Sequence, residues 1–206
     1  MTVIIDYGVG NLFSLTCSFK KIGADVVVTS DPEVIKAAKR IILPGVGAFE
    51  DAAKKLFGSG LAEVLKERVA VGVPVMGICL GMQLLFERSF EYGEHKGLGL
   101  LSGNILPFKE AISKDLEVPQ IGWNSLKIKN KNCPLFKYIN DGDYVYFVHS
   151  YYAPKDVTSS AATSDYDIEF TAAVAQNNIY GCQFHPEKSG DVGLGILRGF
   201  CELGEA

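Results

Sequence analysis

The 206-residue sequence is poor in histidine, with three, and has a single tryptophan. It also has no basic excess: 20 Lys and Arg stand against 24 Asp and Glu, a net charge of −4. That balance removes the electrostatic footprint expected of a nucleic-acid-binding surface. No apolar run approaches the roughly 18 residues that a membrane span needs. The opening Met1-Thr2-Val3-Ile4-Ile5-Asp6 has neither the basic segment nor the cleavage site of a secretory leader, and reads as a first strand. Five cysteines, at positions 17, 79, 133, 182 and 201, are an odd number. They argue against a disulfide framework and for a reducing, cytoplasmic setting. Cys182 and His185 have a C-x-x-H spacing, but no second pair of ligands completes a zinc set, so neither a metal nor an organic cofactor is expected. Gly8-Val9-Gly10 follows the first strand, yet the third glycine of a dinucleotide fingerprint would fall at Phe13.

What remains is the composition of a globular protein, 48% hydrophobic and 21% charged, long enough to bury one core in one domain over 1–206. The first half alternates strand and helix signals. Strands are expected at Val3–Asp6, Val26–Thr29, Arg40–Pro44 and Val73–Ile78. Helices are expected over Asn11–Lys21, from Asp31-Pro32 through Ala38, over Ala48–Leu56 and Leu61–Val71, and again after Cys79. This rhythm implies an α/β fold with a parallel core sheet and helices on both faces. Beyond it, likely-strand patterns at Gly97–Leu101, Ile105–Phe108, Gly122–Lys129, Asp143–Tyr151, Phe170–Gln176 and Ile179–Phe184 suggest an antiparallel extension, closed by a helix over Val192–Glu202. Lys109–Glu117 and Asp156–Asp167 are polar and read as surface loops.

Two short words carry the chemistry. Gly77-Ile78-Cys79-Leu80-Gly81 follows an apolar run and has the form of a nucleophile elbow with cysteine at the pivot. The helix beginning at Leu80 points its amides toward Cys79, a field that favours the thiolate, and the Leu80 N–H can face the oxygen of a tetrahedral intermediate. His185-Pro186-Glu187 supplies a base and a carboxylate to orient it; in an extended segment, residues two apart point the same way. Leu43-Pro44-Gly45-Val46-Gly47 ends a strand in a glycine turn that serves either as a second oxyanion donor, near Val46 or Gly47, or as a plain turn. His149 lies in an aromatic-rich strand and reads as structural, with a rival base as the alternative. Trp123 is either a core anchor or a partner-facing residue.

These words resemble class I (triad) glutamine amidotransferases, a flavodoxin-like α/β fold. Asp6-Tyr7-Gly8-Val9-Gly10-Asn11-Leu12, Pro44-Gly45-Val46-Gly47-Ala48-Phe49, Gly81-Met82-Gln83, Gly122-Trp123-Asn124, Tyr146-Phe147-Val148-His149-Ser150-Tyr151 and Gln183-Phe184-His185-Pro186-Glu187 extend the likeness nearly end to end. Within the family they are most similar to the glutaminase subunits of imidazole glycerol phosphate synthases. The resemblance implies Cys79 as nucleophile, His185 as base and Glu187 as its orienter. It implies an oxyanion hole from Val46, Gly47 and Leu80, and glutamine contacts at Gly47, Gln83, Glu91, Ser150 and Tyr151. It further implies a heterodimer with a (β/α)₈-barrel cyclase, met near Asn11, Trp123, Asn124 and Tyr146. That cyclase uses the ammonia to form imidazole glycerol phosphate, with aminoimidazole carboxamide ribotide as by-product, in histidine biosynthesis. The alternatives are a paralogous glutaminase feeding another synthase and a non-catalytic scaffold subunit. Gly190, Gly195 and Gly199 depart from the family pattern and are expected to loosen the last helix by roughly 1 kcal/mol per interior glycine.

Overall fold

In the computed structural model, which describes residues 1–204, the first half runs β1 (Thr2–Ile5), α1 (Leu12–Lys21), β2 (Val26–Thr29), α2 (Pro32–Lys36), β3 (Arg40–Leu43), α3 (Phe49–Gly58), α4 (Leu61–Ala70), β4 (Val75–Ile78) and α5 (Leu80–Leu84). The last two positions of the expected 1–206 domain lie outside the described residues. The second half adds β5 (Phe86–Ser89), β6 (His95–Lys96), β7 (Leu101–Pro107), β8 (Gln120–Ser125), β9 (Lys127–Ile128), β10 (Tyr144–His149), β11 (Tyr151–Pro154), β12 (Ser160–Tyr166), β13 (Ile168–Gln176), β14 (Ile179–Cys182) and α6 (Gly190–Cys201).

Parallel pairing gives the order β2-β1-β3-β4-β14, so the fifth strand of the core comes from the far end of the chain. Side chains alternate across these strands and sort the helices onto two faces. Ile4, Ile42, Met76 and Ile78 meet Leu15 and Phe19 of α1 and Ile196, Leu197 and Phe200 of α6. Val3, Ile5, Ile41, Leu43 and Val75 meet Ile35 of α2, Phe49 and Leu56 of α3 and Leu61 and Leu65 of α4. Beyond β14 the sheet continues through antiparallel β13, β11 and β7 to β5 and β6. The expected parallel core, two helical faces and antiparallel extension are thus all present.

Three local expectations are corrected. The polar 156–167 segment contains β12, whose Ala161, Ala162, Thr163 and Ser164 are buried beside β13; small residues conceal its period. The expected strand Asp143–Tyr151 is two strands. β10 pairs with β8 in a separate ribbon, and the chain then breaks at Ser150 before β11 joins the main sheet. The expected helix after Cys79 is present as α5, and it ends at Leu84, where the 98–101 segment takes the carbonyls: Leu98 N–H donates to Leu84 O at 2.8 Å, and Leu100 N–H to Leu85 O at 2.9 Å. That same segment is therefore not the strand expected at Gly97–Leu101; β7 begins at Leu101 and runs unbroken to Pro107.

Gly190, Gly195 and Gly199 all lie in α6, and close packing sets part of what its glycines do. A Cβ on Gly193 would sit 1.9 Å from Pro186 O, and one on Gly199 would sit 2.5 Å from Pro134 O. Their missing side chains let the helix lie directly against two 3₁₀ turns, Pro134–Phe136 and Pro186–Lys188.

Candidate active site

β4 turns into α5 through Cys79, which has φ 54° and ψ −113°. Such a conformation costs a non-glycine residue about 1–3 kcal/mol and must be held by its surroundings. Three glycines allow that hold. A Cβ on Gly81 would fall 1.9 Å from Leu43 O, one on Gly77 2.6 Å from the Gly81 carbonyl, and one on Gly45 2.7 Å from Gly81 N. The elbow is therefore packed backbone to backbone against the end of β3. A hydrogen bond from Cys79 N–H to Cys182 O, 2.8 Å, ties it to β14.

β14 delivers the second word. His185 N–H donates to Tyr146 O at 2.9 Å, and its Nδ1 lies 2.8 Å from Glu187 Oε1, with both side chains only 4% exposed. Glu187 reaches the ring by the Pro186–Lys188 3₁₀ turn and not by the strand alternation expected from the sequence. Ser189 Oγ donates to His185 O at 2.6 Å and accepts from Tyr146 N–H at 3.0 Å, fastening the turn to β10. Burial works against a charge on His185, but hydrogen bonds to the Cys79 sulfur and the Glu187 carboxylate outweigh it and push its pKa up to about 10. At neutral pH the imidazole consequently holds a proton between a carboxylate and a sulfur.

A cavity of about 290 Å³ opens on Cys79 and His185. The expected Val46, Gly47, Leu80, Gln83, Glu91, Ser150 and Tyr151 all line it, while Glu187 stands behind His185. A larger groove, about 890 Å³, adjoins it across Pro119, Ser150 and Tyr151. That groove is lined by neither Cys79 nor His185, so the chemistry selects the smaller space. Glu91 is half-buried; burial raises its carboxyl, and its Oε2 accepts from Phe49 N–H at 2.6 Å. The Tyr151 carbonyl accepts from His149 Nδ1 at 2.8 Å and from Gln83 Nε2 at 3.1 Å, so what Tyr151 offers a ligand is not that oxygen. Among the described residues, no group of three or more His, Cys, Asp or Glu could hold a metal ion.

His149 is buried among Phe108, Phe147 and Phe170, and desolvation lowers its pKa to about 4, with the Tyr151 carbonyl opposing. It stays neutral where a base would titrate, in keeping with its structural reading. A folded pKa below the ordinary 6.5 means that the unfolded chain binds the extra proton first. This contribution to stability is complete above pH 6.5 and is lost as pH falls toward 4, about 3 kcal/mol in all. Urea titrations of the parent and of His149→Phe should show a shallower acid limb in the variant; parallel limbs would contradict the assignment.

Two residues of the site were not singled out by the sequence. Tyr7, buried beneath the Pro44–Gly47 turn, donates its hydroxyl to Pro44 O at 2.7 Å and anchors the turn's first residue. Gln183, fully buried, accepts from Gln83 Nε2 at 3.0 Å. Both sit inside recognisable words, but no spacing rule assigns them a task.

Of the residues expected near a partner, Trp123 and Tyr146 share one face of the β8–β10 ribbon. Trp123 and Tyr146 are cross-strand neighbours with ring centroids 6.0 Å apart, on a ribbon face that also exposes Ile121 and Tyr144. Asn124 belongs to the opposite face, and its Nδ2 donates to Asp165 O at 2.5 Å. Asn11 caps α1, accepting from Ser14 N–H at 3.3 Å.

The sequence model of the class I glutamine amidotransferases matches residues 3–201. The chain is 48% identical over 204 residues to the imidazole glycerol phosphate synthase subunit HisH of Caldanaerobacter subterraneus subsp. tengcongensis, covering 98% of each chain. It is also 48% identical over 204 residues to the protein of that name from Geobacter sulfurreducens, covering 97% of each. Among solved structures, a glutamine amidotransferase superposes with a TM-score of 0.76 at 19% identity over 99% of each chain. Another, from Thermotoga maritima, gives 0.70 at 16% identity over 100% of this chain and 98% of that one. At those identities the likeness is one of fold.

Proposed function

The chain belongs to the class I glutamine amidotransferases, and from that premise we propose that it is the glutaminase subunit of an imidazole glycerol phosphate synthase, acting in histidine biosynthesis. The observation that carries this reading is near-half identity to HisH proteins along almost the whole of both chains. The gathering of Cys79, His185 and Glu187 around one cavity supports it.

The geometry supports the following course of reaction. With the proton already held on His185, the Cys79 sulfur attacks the side-chain amide carbon of glutamine. The Leu80 N–H, with those of Val46 and Gly47, receives the negative oxygen of the tetrahedral intermediate. His185 then gives its proton to the departing nitrogen, so that ammonia leaves and a thioester remains. Water adds to the thioester as His185 takes its proton; collapse expels the sulfur, which again faces the protonated imidazole, and glutamate leaves. Glu187, 2.8 Å from Nδ1, fixes the ring and stabilises the imidazolium. Glu91 receives the substrate's α-ammonium group. Both N–H bonds of the Gln83 amide are committed inside the protein, so it meets glutamine through its oxygen.

The ammonia goes to a (β/α)₈-barrel cyclase, with which the chain forms a cytoplasmic heterodimer of lyase activity. The exposed Trp123–Tyr146 face suits that docking. Among the described residues no helix is long and apolar enough to cross a membrane. The test is glutamate release by the chain alone and again with a barrel cyclase loaded with its nucleotide substrate. Strong stimulation by the loaded partner is expected. Activity indifferent to the partner would discard the histidine-pathway reading, and inactivity in both cases would favour a scaffold.

A further inference from the structure

We propose that Gln183 is a further catalytic residue, whose side-chain amide donates a hydrogen bond to the Cys79 sulfur and stabilises the attacking thiolate. This rests on the reading of Cys79 as the nucleophile. The direction of the bond is fixed by a chain of hydrogen bonds that begins at a group with no freedom. The Tyr151 carbonyl can only accept, and both of its lone pairs are used, by His149 Nδ1 at 2.8 Å and Gln83 Nε2 at 3.1 Å. Gln83 must therefore present its amino group there. The second hydrogen of that group goes to Gln183 Oε1 at 3.0 Å, which fixes the orientation of the Gln183 amide as well. Its nitrogen is left facing Cys79 Sγ, 3.7 Å away, a distance suited to a sulfur acceptor.

The surroundings make this contact matter. Gln183 is 0% exposed, so water does not compete for its N–H, and an unmet amide would be costly at this depth. Its backbone is set by a 2.8 Å bond from Gln183 N–H to Ala172 O, so the side chain starts from a fixed point. A neutral donor stabilises charge on sulfur without placing a further cation beside the imidazolium of His185. The adjacent Cys182, buried in the same neighbourhood, has its thiol pushed well up by desolvation, with the Glu187 and Cys79 charges adding to it. One carbonyl and two glutamines thus set the donor that Cys79 faces.

The experiment uses the full chain and variants Gln183→Glu and Gln183→Met. Alkylation of Cys79 by iodoacetamide is followed across pH by mass spectrometry of the Cys79 peptide, so that the other thiols do not interfere. We expect the profile to move toward alkaline pH in both variants, with alkylation at pH 7 slowed about tenfold or more. The kcat for glutamine hydrolysis should fall with it, while KM changes little. Should the methionine variant fail to fold, the glutamate variant retains the shape and the oxygen that Gln83 requires. Profiles that coincide with the parent's overturn the proposal. A shifted profile in a chain whose parent releases no glutamate from glutamine, alone or with the loaded cyclase, would sustain the donor and overturn the glutaminase reading instead.

Discussion

Cys79→Ala is expected to reduce glutamate release from glutamine to near the uncatalysed rate, a fall of about 10⁴- to 10⁶-fold. The size follows from the division of labour in the cavity. On the proposed mechanism His185 moves protons and the other lining groups bind, orient or stabilise charge, while Cys79 alone forms the covalent intermediate. Without a thioester, water would have to displace ammonia directly from a stable amide, helped only by the oxyanion donors and by binding. The same substitution should leave the fold intact. Alanine keeps the Cβ that the elbow already accommodates, and the hydrogen bond that ties the turn to β14 comes from the backbone N–H of residue 79. Binding to a cyclase should also survive, because the exposed Trp123–Tyr146 face belongs to a different ribbon. Glutamate assays and a titration with the cyclase, on one preparation, check both halves. Retained turnover would remove Cys79 from the mechanism; lost binding would show that the elbow also shapes the interface. His185→Ala should match the loss at Cys79, since nucleophile and base act as a unit. Glu187→Gln should cost less, because it orients the ring without transferring the proton.

Much of this site could be read from the sequence because its chemistry is written in contiguous words. The G-I-C-L-G and H-P-E words each place a reactive side chain at the end of a strand, and parallel pairing of β14 with β4 brings those ends together. The order of that pairing was not legible. It joins strands about a hundred residues apart, and nothing local in Ile179–Cys182 names its neighbour. β12 escaped because its buried residues are alanine, threonine and serine, which do not look like a core when read one face at a time. The packing role of the α6 glycines was hidden for a related reason. Helix propensity counts what glycine loses within its own helix, and it does not see the Pro134 carbonyl pressed against Gly199 or the Pro186 carbonyl against Gly193. Tyr7 and Gln183 contribute through one hydrogen bond or two, to atoms 37 and about a hundred residues distant, which periodicity and spacing cannot register.

The elbow glycines offer the sharpest structural test, since for them the fold and the chemistry depend on the same atoms. Gly81→Ala is expected to destabilise the chain by more than about 4 kcal/mol, a magnitude reserved for a clash with no route of relief. Its new methyl would be placed 1.9 Å from the Leu43 carbonyl oxygen and 2.8 Å from the carbonyl carbon. Both are backbone atoms of a central strand whose neighbours on either side are also hydrogen-bonded, so neither can swing aside as a flexible side chain would. Relief requires α5 to move off the end of β3. That movement would carry the Leu80 N–H, Gln83 and the pivot of Cys79 away from His185. Any Gly81→Ala protein that does fold should therefore lose glutaminase activity while keeping every catalytic side chain. Gly58→Ala is the matched control. Gly58 ends α3, has an ordinary φ, and its added methyl meets nothing within 4 Å. There alanine should be neutral or stabilising by about 1 kcal/mol, through the unfolded state. Urea midpoints for the two variants, with glutamate release from each, decide the matter. A Gly81→Ala protein with the parent's midpoint and activity would mean that the strand end yields, and that the close backbone packing is not what holds Cys79 in its strained conformation.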